Sequence, residues 1–159
     1  MEIILAENHG FCYGVKRAVE MANEAANGKG KSYTLGPIIH NPQVVGRLES
    51  KGVSPIQEVS DIDEGTMIIR SHGVGPAIYE EAEEKGLAIV DATCPHVKKA
   101  QQDAKSVIED GMTLVILGEK NHPEVKSINL WANNKGIIIE DEDSAKNLQV
   151  VEKMGDRKS

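Results

Sequence analysis

The segment Cys12-Tyr13-Gly14-Val15-Lys16-Arg17-Ala18 returns in part as Cys94-Pro95-His96-Val97-Lys98-Lys99-Ala100, so C-x-x-V-K-[RK]-A surrounds both cysteines of this 159-residue chain. Subtraction extends the match: 94 − 12 = 82, while 40 − 12 = 28 and 122 − 94 = 28, so each cysteine is followed at one distance by a histidine, His40 or His122, ahead of a proline. Thiol and imidazole repeat together. A duplicated chain folds as similar units presenting equivalent loops, which leaves few architectures open. The units read as residues 1–86, with Cys12, and 87–159, with Cys94.

Each unit alternates two periodicities. Short β-rich runs at Glu2 to Ala6, Ser32 to Leu35, Thr66 to Arg70, Leu87 to Asp91, Met112 to Leu117 and Gly136 to Glu140 predict strands. Val15, Ala18, Val19, Ala22 and Ala26 mark one helical face, with Gly28 suited to its C-terminal cap. Val97, Ala100, Ala104, Val107 and Ile108 mark another, ended by Gly111. Pro42, Pro76, Pro95 and Pro123 each fit a first helical position, where the missing N–H is not needed. The expected fold class is α/β: two βαβαβα units with short parallel sheets and right-handed crossovers.

Charge narrows the partners. The 18 Lys and Arg against 25 Asp and Glu give a net charge of −7, with the acidic residues dispersed, and only five aromatic side chains are present. That excludes a nucleic-acid surface, which needs clustered cations and often stacking rings. A small anion remains a candidate ligand, because local donors and helix starts decide its binding. No apolar run approaches the roughly 20 residues that span a bilayer, and Met1 to Leu5 is too short for a signal peptide, so a cytoplasmic location with reduced thiols is expected.

In an open parallel sheet, ligands bind beyond the carboxyl ends of the strands. Cys12, His40, His72 (in "IIRSHGVGP"), Cys94 and His122 each follow a predicted strand, so all five belong to that edge. The cysteines alone leave several readings. They could be buried apolar residues, a disulfide if their loops meet, zinc ligands, or ligands of an iron–sulfur cluster. Zinc sites usually contain close pairs such as C-x-x-C, and two cysteines alone do not hold a cluster. The histidines could be loop imidazoles, or they could join backbone N–H groups at the proline-started helices in a phosphate or diphosphate pocket. His9 and His96 lack the pattern and read as bystanders. Glu124, two residues after His122, could serve the helix dipole or deliver a proton into the same pocket.

Taken in order, "GFCYGVKRA", "IIHNPQVV", "RSHGV", "DATCP" and "GEKNHPEV" resemble the successive motifs of the hydroxymethylbutenyl diphosphate reductase family, also called IspH or LytB, from Met1 to about Val151. The resemblance implies a [4Fe–4S] cluster held by three cysteines, of which Cys12 and Cys94 match the first two. It implies that His40, His72 and His122 line a diphosphate site and that Glu124 is the acid protonating a departing hydroxyl. The family reaction is two-electron reductive dehydroxylation of 4-hydroxy-3-methylbut-2-enyl diphosphate to isopentenyl and dimethylallyl diphosphates, with electrons from flavodoxin or ferredoxin. Family members also carry a third related unit, in a pseudo-threefold architecture, with the third cysteine. That unit is absent from this sequence, so the chain alone is expected to be inactive or nearly so. The rival reading is a non-catalytic phosphate- or metal-binding α/β module.

Overall fold

A computed structural model describes residues 2–7, 9–28 and 30–148; residues 149–159, the end of the expected second unit 87–159, lie outside that range. Helices and strands alternate as α1 (Tyr13–Ala26), β1 (Ser32–Leu35), α2 (Pro42–Glu49), β2 (Val53–Ile56), a 3₁₀ turn (Val59–Asp61), β3 (Thr66–Ile69) and α3 (Pro76–Glu84). They continue as β4 (Ala88–Asp91), α4 (Pro95–Glu109), β5 (Val115–Leu117), α5 (Pro123–Trp131), β6 (Ile137–Ile139) and α6 (Glu142–Lys146). All four expected prolines occupy the first turn of a helix.

The larger sheet has the order β2-β1-β3-β4, with every neighbouring pair parallel. The alternation of its strands builds three layers. Ile68 and Val90 face α1 and α2, joining Ala18, Ala22, Val44 and Leu48, whereas Met67, Ile69 and Ile89 face α3 and Ala82. Met67, Ile68 and Ile69 are fully buried, each contributing about 1.5–3 kcal/mol of apolar transfer. The smaller sheet is the parallel pair β5–β6.

Several expectations are corrected. Glu2 to Ala6 is not a strand: Ile3, Ile4 and Leu5 are 76%, 82% and 74% exposed. β-Branched composition favours extension, but a strand exists only where a neighbour takes its hydrogen bonds, and no described strand lies beside this run. Cys12 therefore follows an irregular segment. β2, conversely, is a strand the pattern hid, because Pro55 argues against one; it survives at the sheet edge, pairing with β1 alone. β4, read as the head of the second unit, pairs with β3 in the first sheet. Gly28 follows the C-cap residue of α1, Asn27, whose N–H reaches Glu24 O, but it lacks the left-handed φ of a glycine cap. Gly111, by contrast, has φ +72° and caps α4 as expected.

Candidate functional site

From β1 the chain goes to β2 on one side and then to β3 on the other, so the sheet reverses direction between β1 and β3. Loops diverge at such a point and leave a crevice at the carboxyl edge. The loop after β1 carries His40 and the loop after β3 carries His72; their ring centroids are 4.9 Å apart. His122, at the N-cap of α5, brings a third imidazole to 5.8 Å from His72, edge-on. Three histidines spread over 82 residues thus meet. His40 and His72 line a cavity of about 230 Å³ that also touches Phe11, next to Cys12.

The electrostatics favour an anion. Burial holds the His72 imidazole well below its ordinary 6.5, at about 4, with His40, Arg70 and His122 adding to the effect. His72 is therefore neutral near pH 7, and its Nδ1 is buried with no hydrogen-bond partner among the described residues. The Glu124 N–H donates to His122 Nδ1 at 3.3 Å, which leaves the other ring nitrogen of neutral His122 as the N–H donor. Around them, α2 and α5 present their N-termini, α2 capped by Asn41 Oδ1 accepting from the Val44 N–H at 3.0 Å.

Both cysteines stand at helix N-caps, Cys12 before α1 and Cys94 before α4. Their thiols are free. Cys94 Sγ lies so near α1 that a Cβ added to Gly14 would sit 2.5 Å from it. The loop before Cys94 is held on several sides. Cys94 N–H donates to Ser71 O at 2.9 Å, Arg17 Nη1 donates to Thr93 O at 3.1 Å, and Asp91 accepts from Thr93 N–H and Tyr79 Oη. Burial pushes the Asp91 carboxyl up, but hydrogen bonds from Lys98 and Thr93 outweigh it and hold it below its usual range.

Glu124 occupies the first turn of α5 behind His122. His9 and His96 are exposed and apart from the three rings, His9 Nδ1 bonding to Ala6 O. No three His, Cys, Asp or Glu side chains among the described residues are grouped as a metal site.

Three residues escaped the sequence reading. Ser127 Oγ lies 2.8 Å from His72 O and 2.9 Å from Glu124 O, and Gln101 Nε2 donates to it at 3.3 Å, so α4 and α5 hold the His72 loop together. Gln101 sits on an otherwise apolar helical face, which was its only signal. Arg70 ends the apolar run of β3 and lies half-buried beside the crevice.

Fold and site together define an open parallel α/β protein with imidazoles converging at its switch point and thiols at two adjoining helix starts. The chain belongs to the LytB protein family, whose model matches residues 3–157. It is 51% identical over 155 residues to 4-hydroxy-3-methylbut-2-enyl diphosphate reductase of Geotalea uraniireducens, and 50% identical to that of Geobacter metallireducens. Each alignment covers 98% of this chain and 55% of the relative, so the chain spans about half the length of these proteins. A solved structure of (E)-4-hydroxy-3-methyl-but-2-enyl diphosphate reductase, described as the terminal enzyme of the non-mevalonate pathway, superposes with a TM-score of 0.77 at 48% identity, over 89% of this chain and 52% of that one. The corresponding reductase from Plasmodium falciparum gives 0.86 at 32% identity, over 91% and 46%.

Proposed function

We propose that these residues form part of the site of an iron–sulfur reductase that converts 4-hydroxy-3-methylbut-2-enyl diphosphate to isopentenyl and dimethylallyl diphosphates. The observation that carries this reading is the meeting of His40, His72 and His122 at the β1/β3 switch point, with a partnerless nitrogen on His72. The three rings gather N–H groups at one place, and the unpartnered Nδ1 of His72 leaves bonding capacity there that a diphosphate would use. Neutral His72 and His122 donate N–H bonds to it, and the N-termini of α2 and α5 add their dipoles.

The donor chemistry suits the cofactor in part. Cys12 and Cys94 are soft, free ligands at the N-caps of α1 and α4, and Cys94 Sγ packs against Gly14, two residues after Cys12. They would hold two corners of a [4Fe–4S] cluster; a third thiolate is not among this chain's two cysteines. When bound, the cluster would relay two electrons, one at a time, from a reduced flavodoxin or ferredoxin and would supply a Lewis-acidic iron. The histidines fix the diphosphate end, so orientation contributes to the rate. Glu124 delivers the proton with which the hydroxyl leaves as water, from a helix turn fixed through Ser127. The electron donor is flavodoxin or ferredoxin, and the location is cytoplasmic; no helix among the described residues is long and apolar enough to cross a membrane.

With two thiols where three are needed, this 159-residue chain binds diphosphate but turns over little or nothing. The test is anaerobic reconstitution with iron and sulfide, substrate and a reduced viologen, on this chain and on a form extended to the length of its relatives. Product from the extended form alone is expected. A stoichiometric cubane and full turnover from 159 residues would refute the incompleteness, and no product from either form would favour the non-catalytic binding module.

A further inference from the structure

A second cavity, of about 380 Å³, opens on the other side of the His72 loop and contains none of the histidines. The loops after β1, β2 and β3 contribute Gly36, Gln57 and Arg70, and α5 closes it with Lys126 and Leu130. Much of its wall is apolar, including Val74, Ile78 and Leu130.

Its charge is out of balance. Arg70 is half-buried against the backbone of Gly36, where an added Cβ would meet Nη1 at 2.9 Å. Arg70 Nε is buried without a partner among the described residues. No carboxylate within ion-pair distance faces Arg70 or Lys126 among those residues, although acidic groups outnumber basic ones in the chain. A guanidinium does not shed its proton, so desolvating it without a counter-charge is a standing cost that an anion relieves. Two cations with the Gln57 and Asn121 amides suit a doubly charged head, and the apolar wall suits a short hydrocarbon tail.

We propose that this cavity is a binding site for a phosphate monoester of a short hydrocarbon chain, separate from the histidine pocket and independent of the reductase reading. Phosphate sits between Arg70 and Lys126, and the chain lies along Val74, Ile78 and Leu130.

The test is NMR titration of the 159-residue chain with methyl phosphate, n-butyl phosphate and inorganic phosphate, following the Arg70 Nε–H signal and the Gly36, Gly73 and Gly75 amides. n-Butyl phosphate should shift these signals, and its affinity should exceed that of methyl phosphate by about fourfold per buried methylene. Arg70→Met should weaken it by about tenfold or more, whereas Lys105→Met, on α4 and paired with Glu109, should leave it unchanged. Equal affinity for butyl, methyl and inorganic phosphate would overturn the site as described. So would shifts confined to the histidine rings, or undiminished binding in Arg70→Met. Should that variant fail to fold, Lys126→Met carries the same expectation, and the Arg70 signal of the unaltered protein decides.

Discussion

The His72 imidazole carries the consequences of burial into solution behaviour. Its proton affinity is ordinary in the unfolded chain, near 6.5, and depressed to about 4 in the fold by desolvation, with His40, Arg70 and His122 adding to it. As pH falls through 6.5 the unfolded state takes up the proton and the folded state does not, so stability declines from about pH 7 to pH 4 and levels off below. For a partly exposed ring the loss is on the order of 1–2 kcal/mol. Urea midpoints at pH 7.5 and 4.5 should therefore differ more in the unaltered protein than in His72→Gln; identical differences would sink the assignment. Pyrophosphate should raise the His72 titration midpoint, because an anion favours imidazolium. Gly14 permits a second test at the thiol. An alanine there gains up to about 1 kcal/mol of helix propensity, but its Cβ meets Cys94 Sγ at 2.5 Å, and overpacking costs about 1–3 kcal/mol. Gly14→Ala should lose about 1 kcal/mol net and change the rate at which Cys94 reacts with a thiol reagent. A more stable variant with unchanged Cys94 reactivity would contradict this packing.

Helix starts position most of the site, so their caps matter more than their lengths. Asn41 closes α2 directly after His40, and its Oδ1 is the acceptor for Val44 N–H. Asn41→Ala should cost about 1 kcal/mol in urea unfolding and broaden the His40 ring signals, since the loop loses its anchor; sharp, unshifted signals would show that the loop is held otherwise. α5 is tied across to the first sheet by side chains: Trp131 Nε1 donates to Val74 O at 2.8 Å and Ser127 Oγ bonds to His72 O. These bonds come from residues that sequence periodicity treats as ordinary helix filling. Their function in the fold arises because α5 packs on α4 while facing the His72 loop.

Stability is unevenly distributed between the two sheets. The four-stranded sheet has helices on both faces, with Ile68 and Ile69 fully buried, whereas β5 and β6 form a two-stranded pair in which Leu117 is 79% exposed. A two-stranded ribbon is marginal by itself, so its hydrogen bonds open more easily. Hydrogen exchange should show Ile68 and Ile69 amides among the slowest and Ile116 and Ile138 amides exchanging faster by orders of magnitude; equal protection in both sheets would refute this ranking. The exposed run Ile3-Ile4-Leu5 and the bare face of β5–β6 are apolar surfaces of the kind that mark contact sites or aggregation hazards.

The 82-residue repeat, the four helix-starting prolines and the strand–helix alternation follow from local chemistry, and with them the α/β class and the positions of His40, His72, Cys94 and His122 after strands, but not that of Cys12, which no described strand precedes. What local chemistry does not contain is a neighbour. Whether Glu2 to Ala6 pairs, whether Pro55 can sit in a strand, and which sheet receives Ala88–Asp91 depend on edges supplied by distant residues. The same holds for Arg70, Gln101 and Ser127, whose roles come from burial and from contacts across 26 to 55 positions of chain. Residue type and spacing determined which groups could meet; packing decided which of them lost their water and found partners.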